Sequence, residues 1–191
     1  MLAMPAVQGR AQEDKAVMRH QRGFSLIELL IVVAIILIIA AIAIPGLMRA
    51  RIASNESAMV GDIRTVLSAE ATFQSAAGHY GDIRACLNTP NACWPAAGTI
   101  AMIDAGLSNL DAKNGFKPEF HPGPATAPMP ATGLNLIEGF DYGGTPSVIG
   151  RTGNKGFAGD ASGAICWTAD GSAVPALNGA ITVPCPNVLG T

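Results

Sequence analysis

The stretch that decides the fold runs from Phe24 to Met48 and reads FSLIELLIVVAIILIIAAIAIPGLM. Its one charged residue is Glu28, and every side chain between Leu29 and Ile44 is apolar. A helix of about 20 mainly apolar residues is long enough to span a bilayer. The Phe, Leu, Ile and Val side chains favour insertion by roughly 6 kcal/mol, whereas one carboxylate near the end of the span costs at most about 3 kcal/mol. The sequence therefore predicts a single membrane-spanning helix.

The charges that flank this stretch bear on its orientation. Four basic residues precede it and favour a cytoplasmic N-terminus, although Arg49 and Arg51 on the other side weaken the bias; the four are Arg10, Lys15, Arg19 and Arg22. A cleaved secretory signal peptide is the alternative, since Ala41-Ile42-Ala43 has the small residues of a cleavage site. The apolar run is longer than the usual signal core of about 7–15 residues, which argues against that alternative.

The overall composition describes the rest of the chain. Of the 191 residues, 49% are hydrophobic and 14% charged, and a net charge of −2 gives no general electrostatic case for binding nucleic acid. Aromatic residues make up 5%, beside 22 glycines and 13 prolines. We therefore expect a thin core and many turns outside the apolar helix.

The residues from Arg22 to Leu47, RGFSLIELLIVVAIILIIAAIAIPGL, resemble the class III signal of type IV prepilins and type II secretion pseudopilins. The resemblance implies that a prepilin peptidase cuts after Gly23 on the cytoplasmic side and methylates the new amine of Phe24. The mature chain would then have 191 − 23 = 168 residues. A start at Met18 would give MRHQRG, which resembles the short leaders of the family; the sequence leaves Met1 and Met18 open as starts.

Glu28 is the fifth residue after the implied cut. An ionised carboxylate in hydrocarbon is costly unless it is paired, and the apolar stretch contains no basic residue. The Phe24 amine of a neighbouring subunit is the natural partner, and such a pair would fix the axial stagger between subunits. The pilin resemblance implies the same role. A glutamate that is simply tolerated near the lipid headgroups is the alternative.

The helical pattern continues beyond Pro45. An apolar stripe with helical spacing is formed by Met59, Ile63, Val66, Leu67 and Phe73, and we expect Asp62, Arg64, Glu70 and Gln74 on the other faces. Gly78 is a suitable C-terminal cap. The predicted helix, from Ser25 to Ala77, would be roughly 80 Å long, with a kink or local melting at Pro45-Gly46. We expect Pro45, like Glu28, to take part in assembly.

Beyond Gly78 the sequence becomes rich in Gly, Pro, Ala, Ser, Thr and Asn, and predicts an α+β head. A small antiparallel sheet would pack on the helical stripe. The strand candidates are Phe116–Phe120, Leu134–Tyr142, Lys155–Ala158 and Gly163–Thr168, with turns at Gly143-Gly144 and Ala169-Asp170-Gly171. We expect a loop from His121 to Pro130 and a short helix near Ile100–Ala105.

The four cysteines, Cys86, Cys93, Cys166 and Cys185, permit three pairings. Sequence proximity favours Cys86–Cys93 and Cys166–Cys185, and the second bridge would tie the tail back to the sheet, as in many pilins. Such bridges stabilise small heads in oxidising compartments. A metal site is the competing interpretation, but the cysteine spacings, like His79 and His121, do not match a ligand motif.

Other signals are weaker. Asp160 to Gly163 and Asp170-Gly171 favour turns, although a Ca²⁺ ion could bind near Asp160 as it does in some pseudopilins. Surface cations could bind DNA electrostatically, but a solvated surface is the default; they are Arg84, Lys113, Lys117, Arg151 and Lys155. We expect no cofactor, no resident metal and no catalytic constellation.

These inferences together predict a chain with four parts: a leader over 1–23, a hydrophobic membrane and filament-core helix over 24–48, its amphipathic half over 49–78, and a disulfide-bonded α+β head over 79–191. We expect a type IV pilus subunit that polymerises with copies of itself after processing, driven by an assembly platform and its ATPase. It would lie in the bacterial inner membrane before assembly and in an extracellular pilus afterwards. The alternatives are a type II secretion pseudopilin, a membrane-anchored binding protein that never polymerises, or an anchored enzyme.

Overall fold

The computed structural model describes residues 23–89, 93, 101–128, 135–182, 184–185 and 187–189. The chain divides into two compact units, Met1–Ile42 and Ala43–Thr191. Helix α1, Leu26–Ala77, has 52 residues and contributes to both units. The long N-terminal helix predicted from the hydropathy pattern is thus confirmed, and it begins one residue later than expected.

The second half of α1 buries the stripe that the spacing predicts. Met59, Ile63, Val66 and Phe73 are buried, and Leu67 packs against the same core while partly exposed. The helix ends where expected, because Gly78 has a φ of +82° and donates its N–H to the carbonyl of Gln74 at 2.8 Å.

Short helical turns follow α1. A π-turn, Ile83–Leu87, is capped by Asp82, whose Oδ1 accepts the N–H groups of Arg84 and Ala85. Helix α2, Ala105–Ser108, is capped in the same way by Asp104. The short helix expected near Ile100–Ala105 therefore lies later in the chain, because Asp104 caps the following residues; Ile100 lies outside the described residues.

In its described residues, the head contains one main antiparallel sheet and two small ones. The main sheet has the strands β1 (Phe116–Pro122), β4 (Phe140–Pro146), β5 (Gly156–Asp160) and β6 (Ile165–Thr168), in that spatial order. The small sheets pair β2 (Ala125–Pro128) with β3 (Asn135–Ile137) and β7 (Ala176–Leu177) with β8 (Ala180–Ile181). β4, β5 and β6 pair consecutively, and such antiparallel pairing needs only short connections, which glycines and prolines supply.

The core lies between the stripe of α1 and the main sheet. Phe116, Phe140, Tyr142 and Phe157 come from three neighbouring strands and are buried together with Met59, Ile63 and Val66 of the helix. Burial of each such side chain stabilises the fold by about 1.5–3 kcal/mol. The α+β head packed on the helix is therefore confirmed.

The predicted strand Leu134–Tyr142 is wrong as a single element. Asn135–Ile137 is β3, Phe140–Tyr142 opens β4, and the two strands belong to different sheets; Leu134 lies outside the described residues. Gly143-Gly144, predicted as a turn, lies inside β4. A Cβ at Gly143 would lie 2.6 Å from the Cβ of Ala158, and one at Gly144 would lie 2.9 Å from Cε of Met59. These glycines thus let β4 approach β5 and α1 closely. In the sequence, a pair of glycines with this role looks the same as a pair in a turn.

The predicted loop from His121 to Pro130 is also wrong in part. His121 and Pro122 complete β1, and Ala125–Pro128 forms β2; Met129 and Pro130 lie outside the described residues. Prolines occur in edge strands because one side of such a strand has no ladder partner, and β1 is an edge of the main sheet.

The C-terminal tail covers the opposite edge. Leu189 donates its N–H to Ile165 at 2.8 Å, and Trp167 donates to the carbonyl of Asn187 at 2.9 Å. The disulfide Cys166–Cys185 joins the tail to β6, and the disulfide Cys86–Cys93 links the π-turn to residue 93. The pairing favoured by proximity is the one that the structure contains.

Candidate functional site

The most unusual surface of the molecule is the apolar first half of α1 and the residue before it. All fifteen Phe, Leu, Ile and Val side chains from Phe24 to Ile44 are exposed, with Phe24 at 78% and Leu26 at 79%. By length and composition the helix is apolar enough to cross a membrane. Soluble proteins rarely expose contiguous apolar surface on this scale, so this segment is a membrane or protein contact.

Glu28 lies in the first turn of α1, within this apolar surface. Among the residues that the structure describes, no Lys, Arg or His side chain forms an ion pair with it. A carboxylate near a helix N-terminus is favoured by the helix dipole, which is a modest effect of about 0.3–1 kcal/mol. Its position therefore leaves the carboxylate available to a group outside this chain.

Gly23 and Phe24 precede the helix and are both exposed. A Cβ at Gly23 would meet no atom within 4 Å. Among the described residues, no atom therefore crowds Gly23. The residues before Gly23 lie outside the described part of the chain, so the processing prediction stays a prediction.

Pro45 lies inside α1, which continues through it without a break. Proline has no N–H, so the carbonyl of Ala41 loses its helical partner. The local melting predicted at Pro45-Gly46 is not seen in the described helix. An assembly role for Pro45 stays a prediction.

Glu70 is a residue whose environment differs from the one that the sequence predicts. It was expected on a polar face, but its side chain is fully buried. Its Oε2 accepts the N–H of Gly81 at 3.0 Å, and its Oε1 has no hydrogen-bond partner among the described residues. Burial raises the pKa of Glu70 to about 8; the Gly81 hydrogen bond lowers it and the charge of Asp82 raises it further. The helical spacing could have revealed this burial, because Glu70 follows Ile63 by seven positions and Val66 by four and so lies on the same face.

The structure explains the environment of Asp160, for which the sequence predicts a turn or a Ca²⁺ site. Both carboxylate oxygens of Asp160 already accept hydrogen bonds from the protein. Oδ1 accepts the N–H and hydroxyl of Ser162, and Oδ2 accepts the N–H of Ile181 at 2.9 Å. Within the described ranges, no group of three His, Cys, Asp or Glu side chains is placed to hold a metal ion. The arrangement at Asp160 is therefore that of a turn tied to β8.

Two of the five surface cations proposed for DNA binding have partners within the chain. Lys113 forms an ion pair with Asp62 at 3.0 Å, and the ammonium of Lys155 lies 4.3 Å from the centre of the Trp167 ring. The other three are exposed: Arg84, Lys117 and Arg151. Nothing in this arrangement favours DNA over a solvated surface.

A small α+β head that follows a long, exposed apolar helix with one acidic residue near its start defines a class of protein: a helix-anchored subunit that packs against lipid or other copies. Comparison with known proteins gives the family. The model described as "Prokaryotic N-terminal methylation motif" matches residues 18–44. No solved structure gives a significant match.

Two curated relatives are similar to this chain. The type IV wide pilus major component PilA4 of Thermus thermophilus is 39% identical over 93 residues, which cover 48% of this chain and 71% of that protein. The type IV major pilin protein PilA of Myxococcus xanthus is 44% identical over 63 residues, which cover 33% of this chain and 29% of that protein. The chain therefore belongs to the type IV pilin family and is a pilus structural subunit. Neither relative is named as an enzyme, which is consistent with a non-catalytic chain.

Proposed function

We propose that the chain is the subunit of a surface type IV pilus and matures in three stages. Prepilin peptidase cuts between Gly23 and Phe24 and methylates the Phe24 amine. The 24–48 segment holds the mature chain in the inner membrane until an ATPase-driven platform assembles it. Copies then pack through this segment into an extracellular filament, with the 49–78 half of the helix and the 79–191 head outside the filament core.

The observation that carries the proposal is the exposed apolar segment with its single carboxylate. Fifteen exposed large apolar side chains need either lipid or other helices around them. A bilayer satisfies the apolar side chains but not Glu28, because an unpaired charge in hydrocarbon is costly. A bundle of copies satisfies both, since each copy brings the amine of Phe24 beside the carboxylate of a neighbour.

The family match supports the processing stage. The methylation motif covers residues 18–44 and so includes Gly23, Phe24 and Glu28. Both curated relatives are named as major components or major pilins of type IV pili. We therefore favour a pilus subunit over a type II secretion pseudopilin, and over an anchored binding protein that stays monomeric.

Mass spectrometry of the purified native protein, together with electron microscopy of sheared surface filaments, tests the proposal. We expect a mature chain of 191 − 23 = 168 residues with a methylated Phe24 amine, found in filaments. The expected mass of the mature chain is the same whether translation starts at Met1 or at Met18. Gly23→Ala should block cleavage while leaving the membrane-bound precursor intact.

The other outcomes separate the alternatives. An uncleaved chain found only as a membrane monomer would overturn the proposal in favour of an anchored protein. A processed, methylated chain confined to short periplasmic assemblies, with a secretion defect on deletion, would instead identify a pseudopilin. Cleavage that continues normally in Gly23→Ala would show that the processing site lies elsewhere.

A further inference from the structure

The buried carboxyl of Glu70 has no part in the assembly of the filament as proposed above. It lies on α1 within the head unit, fully buried, and only one of its two oxygens has a hydrogen-bond partner among the described residues. That partner is the backbone N–H of Gly81, 3.0 Å from Oε2. A charged carboxylate with so little solvation is strongly disfavoured, whereas a neutral carboxyl is tolerated.

The segment that Glu70 holds leads directly to a disulfide. A Cβ at Gly81 would lie 2.7 Å from Cβ of Cys86 and 3.2 Å from the ring of Phe73, so Gly81 fills the space between the carboxyl and the first bridge. The next residue, Asp82, caps the turn that carries Cys86, and its carbonyl accepts the Cys86 N–H at 2.7 Å. A movement of Gly81 away from α1 would therefore disturb the environment of the bridge.

The bridge itself is shielded in this state. Cys86 and Cys93 are 1% and 0% exposed and form one buried cluster with Phe73 and Leu136. An attacking thiolate or phosphine must reach a sulfur atom along the S–S axis. Reduction of this bridge thus requires the surrounding segment to open first.

We propose that Glu70 is a proton-dependent latch: when protonated it holds the 78–82 segment against α1 and shields the Cys86–Cys93 bridge, and when ionised it leaves its site and opens that segment. The expelled carboxylate gains water as a solvent, which supplies the driving force. The head would then be closed in acidic and neutral surroundings and would open locally in alkaline ones.

The charged groups around the latch support this direction. The 78–82 segment carries His79, Tyr80 and Asp82, and Arg84 follows it in the π-turn. Among these, Asp82 raises the pKa of Glu70 by repelling its ionised form, while the hydrogen bond from Gly81 lowers it. Glu138, beyond β3, is exposed. Burial is the main cause that raises the pKa of Glu70 to about 8, so the opening falls in the mildly alkaline range.

Bridge-specific reduction of the full-length, detergent-solubilised protein tests the latch. A water-soluble phosphine converts each disulfide to two thiols and is itself oxidised to the phosphine oxide, with water supplying the oxygen. The rates for the two bridges are followed by quenching, alkylation and peptide mass spectrometry between about pH 6 and about pH 9. Cys166–Cys185 serves as the internal control, because it joins β6 to the tail and belongs to a different buried cluster from Cys86–Cys93. The ratio of the two rates cancels the pH dependence of the reagent.

We expect this ratio to rise in the wild type by roughly tenfold per pH unit until Glu70 is mostly ionised. In Glu70→Gln, which has a neutral side chain that can still accept the Gly81 N–H, the ratio should not change with pH. The matched control Glu138→Gln, at an exposed carboxylate, should keep the wild-type profile. A flat ratio in the wild type, or the same rise in Glu70→Gln, would overturn the latch.

A second measurement covers the case in which Glu70→Gln does not fold. Hydrogen exchange of the wild type alone is followed for peptides that contain Gly81 and for peptides from Met59 to Val66 of α1, each corrected for the intrinsic effect of pH. Protection at Gly81 should fall as the pH rises through about 8, while protection in α1 stays constant. Equal protection across this range contradicts the proposal.

Discussion

Nδ1 of His121 lies 2.8 Å from Oδ2 of Asp141, a carboxylate whose side chain is only 3% exposed. The two residues are direct partners across β1 and β4, and Asp160 of β5 is the next partner in the same row. Burial raises the pKa of Asp141, and the hydrogen bond and charge of His121 lower it. His121, on the edge strand β1, therefore offsets the cost of the buried carboxylate of Asp141 on β4.

We predict that His121→Leu lowers the free energy of unfolding by about 1–3 kcal/mol, because it leaves both oxygens of a buried carboxylate without a partner. In an Asp141→Asn background the same substitution should cost markedly less, since no charge remains to be offset. Chemical denaturation of the four proteins in detergent gives the coupling between the two residues. Simply additive effects would show that His121 does not offset the burial of Asp141.

A second prediction concerns the close approach of β4 and β5. Gly143→Ala should lower the free energy of unfolding by at least about 3 kcal/mol, because the new Cβ would overlap the carbonyl oxygen of Phe157 and lie 2.6 Å from Cβ of Ala158. Gly61→Ala is the matched control, since a Cβ at this helical position meets no atom within 4 Å. The control should gain about 0.5–1 kcal/mol from helix propensity alone. Thermal unfolding by circular dichroism compares both with the wild type; similar stability of the two variants would contradict this explanation.

The parts of the fold that the sequence predicts are those governed by local rules. The continuous run of apolar residues predicts the first half of α1. The spacing of Met59 and Ile63 predicts its buried stripe, and Gly78 predicts its end. The disulfides follow from proximity along the chain. Each of these features depends on residues that are close in sequence, so a single chain is enough to predict them.

The parts that sequence analysis missed depend on contacts between distant residues. Gly143 has the composition of a turn, and only the neighbouring β5 explains why a strand needs glycine there. Glu70 was assigned by its charge rather than by its position on the stripe, although its spacing from Val66 placed it on the buried face. The polar side chain of Glu70 was given more weight than its helical spacing. The resulting error concerns a residue with an unusual, buried environment.

A third prediction concerns the pH dependence of head stability. The pKa of Glu70 is about 8 in the folded head and near 4.5 in a model peptide, so the folded head binds more protons between these values. Stability is therefore fully present below about pH 4.5 and declines as the pH rises towards about 8. Glu70→Gln should remove the decline and gain on the order of 3 kcal/mol at neutral pH. Thermal melts at several pH values check this; parallel profiles for wild type and variant would show that Glu70 does not titrate in this range.

The last prediction concerns Glu28. Glu28→Ala should leave the chain in the membrane fraction, since removing a carboxylate from an apolar span favours insertion, but it should abolish or disorder filaments because the proposed partner amine of the neighbouring Phe24 loses its counter-charge. Ile31→Ala, in the same exposed segment, is the control: it removes apolar volume without a charge and should retain filaments at reduced yield. Membrane fractionation and electron microscopy of sheared filaments measure both effects. Glu28→Asp keeps the charge on a shorter side chain and should restore part of the filament yield. Filaments of normal length and order from Glu28→Ala would rule out the pairing.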